Sequence, residues 1–122
     1  MPYNWGPHYI VPSEVIKSYS GAIQLREELE EDLLQKELEA LGITGPVLRV
    51  TNPWYYRKKN TDTWIKIGES ADRQQNFPVR WDTTNLENGQ YEILGLMHVF
   101  VRKNGEEKAI ARENVVEVTV QN

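Results

Sequence analysis

The chain holds two histidines, His8 and His98, and no cysteine among its 122 residues, which narrows the chemistry open to it. Without a thiol there is no disulfide framework, no thiolate nucleophile and no thiolate metal ligand. His98 lies in an apolar stretch, two residues from both Leu96 and Phe100. A general base there would need a nucleophile beside it, and the sequence holds neither Gly-x-Ser-x-Gly nor His-Glu-x-x-His. His98 therefore reads as a satisfied histidine near an interface. A site joining His8 to His98 would need carboxylates that no motif places, so no metal is expected. With no phosphate-binding glycine loop, no cofactor is expected either. The chain reads as a protein that is not an enzyme, with no catalytic residues to assign.

Residues 26–39 carry seven carboxylates against Arg26 and Lys36, which raises acid catalysis or cation binding as alternatives. On a helix, however, Glu28, Glu31, Asp32 and Glu39 share a face with Gln24 and Gln35, as on a solvated surface, and an EF-hand loop with its central glycine is absent. The stretch holds most of the acidity behind the net charge of −4. Local acidity opposes a phosphate backbone, and the one basic cluster, Arg57-Lys58-Lys59, is short. No nucleic-acid partner is expected.

The most distinctive segment is Asn52-Pro53-Trp54-Tyr55-Tyr56-Arg57-Lys58-Lys59-Asn60, read as a loop. Aromatic faces followed by cations can stack on a sugar ring and hold an anionic group. Trp54, Tyr55, Arg57 and Lys58, with Trp64, form a candidate ligand-binding set, and carbohydrate is the alternative partner. The structural reading turns Trp54 and Tyr56 into the core and leaves Tyr55 outside.

These residues need elements to position them, and the chain divides into two regions, 1–45 and 46–122. Residues 1–12 hold three prolines among Tyr3, Trp5, Tyr9, Ile10 and Val11, a density that predicts an extended apolar arm. Ser13 is the expected N-cap of a long amphipathic helix running to Leu41, with Gly42 as its left-handed stop and Gly21 as a kink. From residue 22 onward Leu, Glu, Gln and Lys dominate, which favours helix. Such a helix carries two apolar stripes, Leu25/Leu29/Leu33 and Ile23/Leu34/Leu38/Leu41, and would be about 43 Å long.

Residues 46–122 alternate in short runs bounded by turn signals. Strands are expected at Val47–Thr51, Thr63–Ile67, Phe77–Trp81, Gln90–Val101 and Val115–Val120, with Asn88-Gly89 and Asn104-Gly105 as turns. The stretch Arg80-Trp81-Asp82-Thr83-Thr84-Asn85-Leu86-Glu87-Asn88-Gly89-Gln90-Tyr91 resembles the Trp-Asp-Thr, Leu, Asn-Gly, Tyr signature of bacterial immunoglobulin-like and fibronectin-III-like domains. Asn114–Val120 resembles that family's final strand. The resemblance covers residues 77–122 best and implies an antiparallel β-sandwich with Trp81, Leu86 and Tyr91 buried; the N-terminal helix lies outside the family pattern. The expected fold is mostly β, an Ig-like sandwich preceded by an arm and a long helix.

In the strand from Tyr91, the residues Tyr91, Ile93, Met97, Val99 and Val101 share one face, while Leu94, Leu96 and Phe100 make the other apolar too. A helix stripe docked on Leu94/Leu96/Phe100 would cover it. The second stripe and the arm would then form an association surface of Tyr3, Trp5, Tyr9, Ile23, Leu34, Leu38 and Leu41. The chain is expected to be a structural or interaction protein, a homo-oligomer or part of a larger assembly, such as an accessory subunit or a phage-like virion component. No apolar run reaches the roughly 20 residues of a membrane span, so no membrane partner is expected. A cytoplasmic location, or one within a particle assembled there, is expected, and an extracellular one only if a leader was removed.

Overall fold

A computed structural model describes residues 9–10, 18–29 and 31–122. The described chain is mostly β. Strands β1 (Tyr9–Ile10), β2 (Ser18–Tyr19) and β3 (Ala22–Glu27) precede a single α-helix, α1 (Glu31–Ala40). Then come β4 (Val47–Lys58), β5 (Ile65–Ser70), a 3₁₀ turn at Arg73–Gln75, β6 (Val79–Asp82), β7 (Gly89–Lys103) and β8 (Glu106–Val120). Three strands form one sheet in the order β1-β3-β6, and five form a mixed sheet in the order β2-β8-β7-β4-β5. Every pairing is antiparallel except β2 with β8.

The long hairpin is the backbone of the fold. β7 and β8 pair from Gly89↔Val120 to Lys103↔Glu106. They turn through Asn104 and Gly105, both with positive φ (54° and 80°), the geometry that an Asn-Gly hairpin turn provides. Tyr91, Ile93, Met97, Val99 and Val101 all face inward and are buried, as their alternation predicted. This inner face has two covers. Over one end, Leu25 and Trp81 from the short sheet pack with Tyr19, Trp54, Tyr91, Ile93, Val118 and Val120. Over the other, Leu34 and Leu38 of α1, with Leu29 and Ile43, pack on Val50, Phe77, Met97, Val99, Val101 and Ile110.

The long helix expected from Ser13 to Leu41 is the main correction. Ser13 and residues 14–17 of that span lie outside the described residues, and among the described residues its helical part is the ten residues Glu31–Ala40, about 15 Å long. It does end at Gly42, whose φ is 72°. There Ile43 N–H donates to Leu38 O at 2.9 Å and Gly42 N–H to Glu39 O at 3.0 Å, the paired bonds of a left-handed cap. Residues 22–27 form a strand because Ile23 and Leu25 alternate with Gln24 and Arg26, and this alternate face meets Trp81 and Val79 across the β3–β6 ladder. Helix propensities differ by only a few tenths of a kcal/mol per residue, less than the burial of one leucine contributes. The helix also lies against the inner sheet face and not on Leu94/Leu96/Phe100. The three-stranded sheet is too short to cover the distal half of the hairpin, and Leu34 and Leu38 take that place.

Other boundaries move as well. The expected stop at Asn52-Pro53 lies inside β4, which runs on through the segment read as a loop, and Gly68 lies inside β5. The pairing of β4 with β5 shifts register between Trp54 and Tyr55, an irregularity that accommodates the nearby proline. The final strand begins nine residues before Val115, at Glu106. The division at residue 45 does not separate two bodies, since β2 joins one sheet and β3 the other. Trp81 and Tyr91 are buried as expected, while Leu86 is half-buried against the same aromatic core.

Candidate functional site

The outward face of the five-stranded sheet is built by register. Lys66, Tyr55, Leu94 and Val115 form one row, Thr51, His98 and Ala111 another, and Arg49, Phe100 and Ala109 a third. Leu96 stands between the first two rows, opposite Glu113. On a water-facing sheet these positions alternate toward polar residues, yet here Leu96 and Phe100 are half-buried and Val115 is 47% exposed. Charged pairs rim the apolar centre. Arg49 lies over the Phe100 ring at 4.0 Å and pairs with Glu107 at 2.6 Å. At the other end Arg57 pairs with Glu92 at 2.9 Å and Lys59 with Glu117 at 3.1 Å. His98 is half-buried on this face with its ring tilted against Phe100, centroids 6.3 Å apart.

The candidate ligand set of residues 54–64 is split by the fold. Trp54 is 1% exposed, and its indole Nε1 donates to Phe77 O at 3.0 Å, so its ring belongs to the core and offers no platform. Tyr56 also turns inward, 5.5 Å from the Trp81 ring centroid, as the structural reading had it. Tyr55 stays outside, half-buried. Arg57 stacks over Trp64 at 4.1 Å while bound to Glu92, and Lys58 bonds Glu87 at 2.5 Å. The cations of the set are thus engaged with carboxylates of the same chain.

The expected association surface is likewise redistributed. Leu34 and Leu38 are each 3% exposed, packed in the chain's own core, which withdraws them from any interface. Leu41 and Ile23 are half-buried and lean on the two core clusters. Tyr3 and Trp5, like His8, lie outside the described residues. Tyr9 pairs through its backbone with Glu27 in β1–β3.

The most unusual polar group is one that the sequence reading counted only among the carboxylates of an expected helix. Glu27, at the end of β3, is fully buried and accepts hydrogen bonds at Oε1 from Arg112 at 2.7 Å and Asn114 Nδ2 at 2.6 Å. Burial pushes its carboxyl up to about 7, against the opposing pull of Arg112, Asn114 and Asn52. Arg112, also fully buried, reaches the Glu28 carbonyl and the Met97 sulfur. A sequence signal existed: Ile110, Arg112, Asn114, Val116, Val118 and Val120 form one alternating face with two polar interruptions, and polar residues on a buried face need a partner there. Being sealed from solvent, the cluster can hold a proton or a register but cannot take a substrate as it stands.

Among the described residues no group of three or more His, Asp or Glu side chains is placed to hold a metal ion, and no helix is long and apolar enough to cross a membrane. No protein-family model matches the chain, and neither the curated proteins nor the solved structures contain a match to it.

Proposed function

We propose that the chain is a non-catalytic interaction module with an immunoglobulin-like strand layout, which associates through the outward face of its five-stranded sheet, most simply with a second copy of itself. The observation that carries this reading is the apolar centre of that face, exposed Val115 with half-buried Leu96, Phe100 and Tyr55, which no described helix or sheet covers; Leu94 beside them is buried. The helix expected to cover it is committed to the opposite side. Its extent fits a partner surface. About twelve residues each of β4, β7 and β8 with the six of β5 span on the order of 700 Å², just below the roughly 800 Å² per partner of a standard interface. Charges of both signs at each end suit a self-complementary contact.

Two features support the immunoglobulin-like layout. β3 and β6 in one sheet, with β4, β7 and β8 in the other, follow the B, E and C, F, G strands of that architecture. Tyr91 at the start of β7 donates its hydroxyl to Glu87 O at 2.8 Å, four residues upstream, in the manner of a tyrosine corner. Sedimentation equilibrium of the full chain tests the association. Dimers are expected at about tens of micromolar, with Val115→Lys shifting the population to monomer while circular dichroism is unchanged. A wild-type chain that stays monomeric there overturns the reading.

A further inference from the structure

Glu27 is the one fully buried carboxylate among the described residues, and its hydrogen bonding is one-sided. Both donors, Arg112 and Asn114 from β8, bind Oε1. Oε2 accepts no hydrogen bond among the described residues and faces the bare Cα of Gly95 on β7. From β4 comes Asn52, whose side chain is close enough to pull on the carboxyl, more weakly than Arg112 and Asn114, and whose Oδ1 is buried without a donor. Met97 of β7 adds only its sulfur, and the Asn76 carbonyl before β6 takes the Glu27 N–H at 2.8 Å. The Glu28 carbonyl is occupied by Arg112. Among the described residues, Arg112 is therefore the only charge that these elements bring to the carboxyl.

A buried carboxylate is stable when both oxygens are satisfied, and one bare oxygen makes the charge costly. A proton on Oε2 removes that charge and supplies a donor to a pocket that holds an acceptor lacking one. Oε1 keeps its two donors, and Arg112 keeps the Glu28 carbonyl. The position matters because β3 has no backbone pairing with the five-stranded sheet: its ladders run to β1 and β6 alone. Glu27 is its buried polar tie to that sheet, at the point where the chain leaves β3 for α1.

We propose that Glu27 is a proton-operated latch, closing β3 and the connection to α1 onto the five-stranded sheet as a neutral acid and loosening that closure when it ionises. The direction follows from linkage. The carboxyl is raised in the folded chain from 4.5 to about 7, so its contribution is complete below about 4.5 and is lost as pH rises through about 7.

Amide hydrogen exchange on the full chain at several pH values from mildly acidic to mildly alkaline, corrected for intrinsic rates, tests the latch. Protection of β3, residues 28 and 29 and residues 31–34 is expected to fall by about tenfold or more relative to β7, the limit being tenfold per pH unit. In Glu27→Gln the ratio is expected to stay flat. Equal loss in β3 and β7, no loss, or the same loss in Glu27→Gln overturns the proposal. Should that variant fail to fold, the carboxyl carbon resonance of Glu27 in the wild-type chain decides. A midpoint near 7 supports the latch, and an ordinary carboxylate midpoint near 4.5 overturns it.

Discussion

Gly95 on β7 and Glu27 on β3 compete for one volume: a Cβ on Gly95 would stand 2.6 Å from Glu27 Oε2 and 3.0 Å from its Cδ. The glycine is thus a cradle for a buried side chain, at a point in β7 where every inward neighbour is large. Glu27 cannot swing away without leaving Arg112 and Asn114, so the contact is not relieved by a free rotation.

Gly95→Ala is accordingly expected to destabilise the chain by about 1–3 kcal/mol, the range for overpacking a filled core. Urea unfolding checks this. A neutral result would mean that the carboxyl relocates at no cost.

Removing one member of the buried pair should be worse than removing both. At a pH well above 7, where the Glu27 carboxyl is ionised, Arg112→Met strands that charge and is expected to cost about 3–5 kcal/mol, whereas Arg112→Met combined with Glu27→Leu should recover much of that loss. A double-mutant cycle by urea denaturation measures the coupling.

Leu38→Ala should act on stability and not on assembly. Leu38 lies between α1 and the hairpin, so a loss of about 2–5 kcal/mol is expected, with the sedimenting mass unchanged wherever the chain remains folded. A change of mass without loss of stability would return Leu38 to an interface.

Tyr91 separates a hydrogen bond from a packing term. Tyr91→Phe removes only the bond to Glu87 O and should cost about 0.5–1.5 kcal/mol. Tyr91→Ala also empties a site beside Trp81 and Tyr56 and should cost about 3–5 kcal/mol. Near-equal costs would show that the ring contributes little.

The parts of this fold legible in the sequence are those set by local rules. The alternation of Tyr91 to Val101 gave the inner face of β7 residue by residue, Asn104-Gly105 gave the hairpin turn, and Gly42 gave the end of α1. What was not legible depended on distant partners. Ala22–Glu27 has a helix former's composition and becomes a strand because Trp81 and Val79, more than fifty residues on, offer a face to Ile23 and Leu25. Pro53 reads locally as a stop, yet β4 continues because β7 holds its other edge. Glu27 was one carboxylate of an acidic stretch and carried no signal of its own, whereas its neighbours in space are Arg112, Asn114 and Asn52. The apolar outward face was visible in Leu94, Leu96 and Phe100, but the sequence could not say which face α1 would choose.

The pairing of β2 with β8 joins Ser18 to Thr119 and Tyr19 to Val120, and Gln121 N–H returns to Tyr19 O at 2.9 Å. During synthesis at about 5–20 residues per second, β2 therefore waits several seconds for a partner about a hundred residues further along the chain. β3 lacks its β6 ladder until Val79–Asp82 has emerged, and β2 lacks its β8 ladder until Val120 has. A chain stopped short of Thr119 would hold its hairpin but leave Tyr19 without the strand that seats it. The hairpin of β7 and β8 is closed by contacts local in sequence, whereas β2 is seated by residues about a hundred positions away, so the amino-terminal strands are the part of this fold with the largest loop-closure cost.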